Sequence, residues 1–269
     1  VLVKNRFGAV RVYISRLNVY VDKGLLLPIN STKLFKNIPS HLRGPNNDWF
    51  AFSKRARILA VNIDRVNRKE IKKIEDLANP NWRGRICSRP GSHVYNRALL
   101  ASIIAHNGEL VAQKWAKSLV DNLAQRPQGN DRAQVKAVFQ GVCDIAIINS
   151  YYFGKLRNSK ITEQREWTKN VRIVFTNQTG RGNHINISGG GVAKYSKNKK
   201  LAIKFLEFLS EEKAQKLFTK INFEFPANPS ISHSKELLSW GAFSEDKLPI
   251  SKIAELAPLA QRIIDRVGW

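Results

Sequence analysis

The chain has 269 residues, of which 43% are hydrophobic, so it is long enough to bury one large α/β core or two modest lobes. No apolar run approaches the roughly 20 residues that a membrane-spanning helix needs. The formal net charge of +24 makes nucleic acid the first partner to consider. However, the basic residues are scattered along the chain and accompany no recognisable nucleic-acid-binding motif, so a generally basic surface is favoured.

The beginning of the chain carries no export signal. Val1 opens a segment that contains Lys4, Arg6 and Arg11 and no apolar stretch of useful length. The sequence contains no methionine, so we expect Val1 not to be the translation start. The chain is then a mature product or a fragment, and any export signal would have been lost with the missing segment, so its absence says nothing about the compartment.

From about residue 57, short apolar strands alternate with segments of helical periodicity. The strand "RILAVN" is followed by the short helix "IKKIEDLAN", which Pro80 closes, and by the strand "GRICS". Apolar residues then recur at helical spacing from Tyr95 to His106, in a helix that we expect Ser92 to cap. Two more helices precede the strand "CDIAII", and Asn130 is a good N-cap for the second of them.

The rest of the chain continues this alternation. A helical pattern near "YYFGKLRN" precedes the strand "RIVFTN", and the helices "NKKLAIKFLEFLS" and "EEKAQKLFTKI" follow a glycine run. The last helix covers roughly residues 253–266. This alternation predicts an α/β fold with parallel-rich sheets and crossover helices, in which ligands bind beyond the carboxyl ends of the strands.

Two cysteines, Cys87 and Cys143, lie in strand-like runs that each precede a candidate site loop. A disulfide between them suits an exported protein if the two strands are neighbours. Two buried free thiols are the alternative, because the sequence does not supply the Cα separation. The sequence leaves both interpretations open.

Three tyrosines follow two of the predicted strands. One strand breaks at Asn149 and is followed by Tyr151 and Tyr152, and Tyr95 follows the other. Successive strand side chains point to opposite faces, so the adjacent tyrosines converge only from a loop or a helix start. If the strands are neighbours, three phenols meet at one sheet edge. Oxygen ligands suit a hard cation, and aromatic packing is the alternative.

The cost of ionising phenols restricts which cation this site would hold. With a pKa near 10, one phenolate costs about 4 kcal/mol at neutral pH and three cost about 12 kcal/mol. A trivalent ion bonded directly to the oxygens offsets this cost, and three phenolates neutralise Fe(III). Two cysteines and five scattered histidines give no zinc spacing, and no hydrolase or P-loop motif is present.

Several longer segments carry a resemblance to a known family. They include "WFAFSKRARILAVN", "GSHVYNRALLASIIAHNG", "RPQGNDRAQVKAVFQGVCDIAIINSYYFGK" and "GRGNHINISGGGVAK". From about Ser15 to Trp269 the chain resembles the bacterial periplasmic ferric-iron-binding proteins, which are the substrate-binding components of iron(III) ABC transporters. By position in "HVYN" and "NSYY", the iron ligands of this family fall on Tyr95, Tyr151 and Tyr152.

The resemblance implies a two-lobed periplasmic-binding-protein fold of type II. The first lobe would take residues 1–55 and 182–230, and the second would take residues 56–181 and 231–269. An arginine near the metal or its companion anion matches Arg55. An oxyanion such as carbonate is expected at Ser92 and His93, at the start of the Tyr95 helix.

The chain also departs from the family pattern. Family members begin with a βαβ unit that carries a further tyrosine ligand, often beside a histidine, and this unit is absent from the present sequence. Residues 1–13 match poorly, so we expect an incomplete first lobe without that ligand. Lys155 replaces an arginine that is common in some members.

The resemblance implies a function without catalysis. The protein would bind Fe(III) between its lobes and deliver it to an ABC-type permease in the inner membrane, as a periplasmic monomer that binds no nucleic acid. The alternative is a basic nucleic-acid-binding protein that uses its Lys and Arg side chains and stacks aromatic residues on bases.

Overall fold

The computed structural model describes residues 9–13, 20–67 and 69–269, so the family mismatch predicted for the first 13 residues lies mostly outside the described part. Within these ranges, strands and helices alternate as in an α/β protein. Each helix in this part of the chain is too short or too polar to span a lipid bilayer.

The described strands and helices have the following bounds. The strands are β1 (Ala9–Tyr13), β2 (Leu26–Leu27), β3 (Phe50–Asn62), β4 (Ile86–Cys87), β5 (Ile145–Asn149), β6 (Val171–Val174), β7 (Ile185–Ala193) and β8 (Phe225–Pro226). The α-helices are α1 (Thr32–Asn37), α2 (Val94–Asn107), α3 (Glu109–Asp121), α4 (Asp131–Phe139), α5 (Ser150–Arg157), α6 (Thr162–Glu166), α7 (Lys199–Ser210), α8 (Glu212–Leu217), α9 (Lys235–Leu238) and α10 (Ile250–Val267).

The chain divides into two compact units. The first unit takes Val1–Arg55, Asn186–Ser239 and Leu248–Ala254. The second takes Ala56–Ile185, Trp240–Lys247 and Glu255–Trp269. Strands β3 and β7 and helix α10 each contribute residues to both units.

The first unit is built around β7. This strand pairs antiparallel with β1 and with β2, and the beginning of β3 pairs antiparallel with β8. A Cβ atom on Gly191 of β7 would lie 2.3 Å from the carbonyl oxygen of Asp48, so only glycine permits this backbone approach. The glycine at position 191 therefore lets β7 pass close to the backbone at Asp48.

The second unit is built around the second half of β3. Leu59 of β3 lies opposite Ile147 of β5 in one register and opposite Val174 of β6 in the other, and both pairs are antiparallel. Strand β4 pairs parallel with β5, with Ile86 opposite Ile145. Every residue of β5 is buried, as expected for an apolar run in a core.

The sheet pairing departs from the sequence prediction in one respect. Among the strands that the structure describes, β4 and β5 form a parallel pair, whereas β3 runs antiparallel to β5, β6 and β8, and β7 runs antiparallel to β1 and β2. Alternation of strands and helices predicts the elements, but the direction in which a strand enters a sheet depends on long-range pairing. The long strand β3 meets β5 and β6 running in the opposite direction.

Candidate metal centre

The three tyrosines that the sequence singled out stand at the start of two helices of the second unit. Helix α2 begins at Val94 after the loop that follows β4, and α5 begins at Ser150 directly after β5. Because β4 and β5 are parallel neighbours, both helices start at the same sheet edge. Tyr95 is the second residue of α2, and Tyr151 and Tyr152 are the second and third residues of α5.

These helix starts bring the three phenols together. The phenol oxygens of Tyr95 and Tyr151 lie 3.0 Å apart, within hydrogen-bond distance. The rings of Tyr151 and Tyr152 have centroids 4.3 Å apart. Tyr95 is 8% exposed and Tyr151 is 7% exposed, while Tyr152 is half-buried. Two buried oxygens and one more accessible ring therefore form a single cluster.

Burial raises the pKa of the Tyr151 phenol well above its ordinary value. The neighbouring phenols of Tyr95 and Tyr152 raise this pKa further, because a phenolate at Tyr151 would lie close to any other negative charge in the cluster. Tyr151 is thus a neutral phenol when no cation is bound. A cation that binds its oxygen directly must displace the phenol proton.

Two arginines flank the Tyr95 ring. The guanidinium carbon of Arg89 lies 5.1 Å from the ring centroid, and that of Arg57 lies 5.8 Å from it. Both distances are within the range of a cation–π contact. Positive charge at this distance also favours the ionised form of a phenol.

Basic side chains also lie close to the other two tyrosines. The ammonium nitrogen of Lys155 is 5.3 Å from the ring centroid of Tyr151, and the guanidinium carbon of Arg132 is 5.7 Å from that of Tyr152. The cluster is therefore electropositive before its phenols ionise. Such a site suits ligands that carry negative charge, and it suits a cation only after phenolates have formed.

A buried carboxylate holds the two arginines of the Tyr95 site. Asp131 is fully buried and accepts hydrogen bonds from Nη1 of Arg57 at 2.7 Å and from Nη1 of Arg89 at 3.0 Å. It also accepts the backbone N–H of Asn149 at 2.7 Å, at the end of β5. One carboxylate thus serves two guanidinium groups, which leaves this buried network with a net positive charge.

A second set of hydrogen bonds fixes the loop before α2. Nη2 of Arg57 donates to Oδ1 of Asn96 at 2.5 Å, and Nδ2 of Asn96 donates to Oγ of Ser88 at 3.1 Å. The indole N–H of Trp269 also donates to Ser88 Oγ at 3.1 Å, and the backbone N–H of Gly91 donates to the Trp269 carbonyl at 3.0 Å. The C-terminal residue therefore contributes to the position of the Tyr95 helix.

The helix cap differs from the prediction for Ser92. His93 is the N-cap residue, and its Nδ1 accepts the backbone N–H of Tyr95 at 3.3 Å, while Ser92 is exposed in the preceding turn. Burial, together with the charge of Arg89, lowers the pKa of His93 to about 4. His93 is neutral at pH 7 and keeps a free lone pair to accept this bond. The proposal that Ser92 and His93 hold an anion stays a prediction.

Arg55 belongs to the first unit. Its buried guanidinium donates from Nη1 to Ser188 Oγ at 2.8 Å and to Glu224 at 3.2 Å, and from Nη2 to the carbonyl of Ile187. The expectation that Arg55 lies near the metal or its companion anion stays a prediction. The sequence did not single out Arg57, two positions further along β3, which lies beside the Tyr95 ring.

The structure joins Cys87 and Cys143 in a disulfide, with the two Cα atoms 5.9 Å apart. Cys87 ends β4, and Cys143 lies two residues before β5, so the bond ties together the two strands that precede the tyrosine helices. Within the described ranges, no three His, Cys, Asp or Glu side chains gather in an arrangement that would hold a metal ion. The phenol oxygens of Tyr95, Tyr151 and Tyr152 stay the predicted metal ligands of this unit.

The chain is similar to several known proteins. The family model described as "Bacterial extracellular solute-binding protein" matches residues 13–244. "Iron uptake protein A1" of Synechocystis is 39% identical over 96% of this chain and 72% of its own length. A Trichodesmium structure in complex with iron and citrate matches at a TM-score of 0.95 and 42% identity, over 97% of this chain and 83% of that one. The ferric binding protein from Campylobacter jejuni matches at a TM-score of 0.92 and 42% identity, over 97% and 83% of the two chains.

Proposed function

This chain belongs to the family of bacterial extracellular solute-binding proteins, and on that premise we propose that it binds ferric iron and delivers it to an ABC-type permease. The family and the solved structures confirm the predicted α/β fold of type II periplasmic binding proteins. Family membership also confirms the prediction of a binding protein rather than an enzyme. The ligands in this proposal are the phenolate oxygens of Tyr95, Tyr151 and Tyr152.

The observation that carries the proposal is the 3.0 Å approach of the Tyr95 and Tyr151 phenol oxygens in a buried place. Two phenolates this close would repel each other strongly unless a cation lay between or beside them. Three phenolates carry the charge that neutralises a trivalent ion bonded directly to their oxygens. Hard oxygen ligands and this balance of charge favour Fe(III) over Fe(II).

Two further features accompany the proposed iron site. The disulfide between Cys87 and Cys143 suits an oxidising compartment, so we place the protein in the periplasm. Three tyrosines leave part of the coordination sphere of iron open. We propose that an oxyanion fills it, as the Trichodesmium relative holds citrate together with iron.

A visible absorption titration tests the iron proposal. Purified protein is titrated with ferric ion presented by a weak chelator. We expect a phenolate-to-iron charge-transfer band that saturates at one equivalent. The Tyr151→Phe variant should lose most of this band, whereas Tyr195→Phe, at a tyrosine that is 80% exposed, should keep it. A wild-type protein without the band, or equal bands in both variants, would refute the tyrosine site.

Delivery requires a separate measurement. The iron-loaded protein should stimulate ATP hydrolysis by its permease in proteoliposomes, and the Tyr151→Phe protein under the same iron supply should not. Equal stimulation by both proteins would show that iron delivery does not depend on the phenol cluster.

A further inference from the structure

One face of α7, in the first unit, exposes lysines together with large apolar side chains, and iron binding does not explain this combination. Leu201, Lys204 and Phe208 follow one another at helical spacings of three and four residues, so they lie on one side of the helix. Leu201 is 46% exposed and Phe208 is 39% exposed, and Lys204 is exposed between them. Lys200, also exposed, lies next to this stripe. We call these four residues the lysine face.

The opposite side of α7 is the part that packs into the first unit. Its buried residues are Ala202, Leu206 and Ser210, which recur every four positions. The exposed leucine and phenylalanine are therefore not residues that the fold needs for its core. Large apolar side chains left in water between lysines are typical of helices that lie in a membrane interface.

The acidic residues near this helix are turned towards α1 instead of the lysine face. Glu207 accepts a hydrogen bond from the Ser31 hydroxyl at 2.6 Å, and Glu211 pairs with Lys33 at 2.6 Å. Lys33 pairs with the charge of Glu211, whereas the neutral Ser31 hydroxyl orients the Glu207 carboxylate without cancelling its charge. The exposed side chains of Lys197, Lys200 and Lys204 outnumber Glu207 around the lysine face.

The segment before α7 also exposes an aromatic side chain beside lysines. Tyr195 is largely exposed, and the ammonium nitrogen of Lys194 lies 5.8 Å from its ring centroid. Lys197 is exposed as well. An exposed tyrosine beside lysines is suited to the headgroup level of a bilayer, where its ring and hydroxyl find different environments.

We propose that the lysine face of α7 docks the protein reversibly on an anionic lipid surface. The lysines would contact the negative headgroups, while Leu201 and Phe208 would enter the boundary between headgroups and acyl chains. The net charge of +24 adds a long-range attraction to such a surface. The proposal does not depend on the tyrosine cluster, which lies in the other unit.

Vesicle co-sedimentation of the full chain tests this proposal. The protein is mixed with vesicles of phosphatidylglycerol and phosphatidylcholine, or of phosphatidylcholine alone, across a range of salt concentrations. We expect binding to the anionic vesicles that weakens as salt screens the charges. Each lysine at an anionic surface contributes about fivefold to partitioning, so the Lys200→Glu/Lys204→Glu variant should bind more than about 25-fold less well.

A matched control separates the face from the overall charge. Lys114 and Lys117 are exposed on α3 of the second unit, and their double change to glutamate alters the net charge by the same amount. It should leave most of the binding intact. Phe208→Ser should weaken binding without changing the net charge, and the ferric titration should confirm that each variant retains its fold and its iron band.

Three outcomes would overturn the proposal. Equal losses of vesicle binding in the two charge-reversal variants would show that the overall charge of the protein attracts it to the lipid and that the lysine face has no special role. Absence of binding to anionic vesicles would exclude a lipid surface as the partner. Binding only to vesicles that also contain the permease would assign the lysine face to a protein contact.

Discussion

The phenol oxygens of Tyr95 and Tyr151 lie 3.0 Å apart although the residues are separated by 56 positions, and the bonded Cys87 and Cys143 have the same separation. Each tyrosine thus follows its cysteine by the same number of residues. The two strand-to-helix segments are equivalent in length, and the disulfide joins them at one end while the phenols meet at the other. The bond therefore holds the two segments in the register that brings the tyrosines together.

Iron binding should depend steeply on pH. A free phenol has a pKa near 10, and burial and the neighbouring phenols raise the pKa of Tyr151 further, so each phenol that iron ionises releases a proton. The apparent Fe(III) affinity should rise up to about tenfold per pH unit for every phenol ionised, which gives a slope of about three for the wild type. Competition with a chelator of known pH dependence measures this slope. Tyr152→Phe should lower the slope by about one proton, and an unchanged slope would exclude Tyr152 as an ionised ligand.

Removal of the disulfide should lower the free energy of unfolding. The bond closes a loop with a sequence separation of 56, for which the chain-entropy relation gives about 4 kcal/mol. Urea unfolding of the Cys87→Ala/Cys143→Ala variant measures the loss. Wild-type protein in reductant should match the variant, and a loss below about 1 kcal/mol would show that the bond adds little to stability.

Asp131→Asn should be strongly destabilising. The change leaves the guanidinium groups of Arg57 and Arg89 buried without their carboxylate, which costs about 3–5 kcal/mol. Urea unfolding at pH 7 gives the loss. The control is Asp121→Asn at the end of α3, where the partly exposed carboxylate pairs with Lys117 and should contribute less than about 1 kcal/mol. Similar losses in both variants would contradict the importance of the buried network.

Gly91→Ala should weaken iron binding although all three tyrosines remain. An added Cβ would lie 2.6 Å from Cγ of Trp269 and 2.7 Å from its carbonyl oxygen, so the loop before α2 must move. Movement of this loop displaces Tyr95 from Tyr151. The matched control is Gly180→Ala, where the nearest atom to an added Cβ is 3.9 Å away. Equal ferric affinity in the two variants would show that the loop position does not control the site.

His184 should make folding stability fall in acid. Burial, together with the charge of Arg57, lowers the pKa of His184 from 6.5 to about 3. As the pH falls below 6.5, His184 binds a proton in the unfolded chain but not in the folded protein, which favours the unfolded chain. The free energy of unfolding is therefore unaffected by His184 well above pH 6.5 and falls as the pH decreases towards 3. Between pH 7 and pH 5 the loss from His184 should be about 2 kcal/mol.

Urea unfolding at both pH values measures this effect in the wild type and in His184→Gln. The variant should lose less stability between pH 7 and pH 5, whatever its absolute stability. The control His233→Gln, at an exposed position, should keep the wild-type dependence. A variant with the wild-type dependence would exclude His184 as the source.

The sequence by itself determined the local structure around the candidate site. Helical spacing predicted the helix after Tyr95, which the structure places at Val94–Asn107. The break at Asn149 predicted that Tyr151 and Tyr152 stand in a loop or at a helix start, and α5 begins there. Asn130 caps α4 as predicted, with its side-chain oxygen accepting the N–H groups of neighbouring residues. These features depend on backbone periodicity and on residues close in sequence.

Only the tertiary structure decided which distant residues meet. Three features depend on contacts across tens of residues: the antiparallel partners of β3, the bond between Cys87 and Cys143, and the position of Arg57 beside Tyr95. Asp131 stands in the first turn of α4, and nothing in the local sequence shows that its buried carboxylate binds two distant arginines. The local sequence shows that a residue is polar or charged. Which opposite charge it pairs with when it is buried depends on the packing of the whole chain.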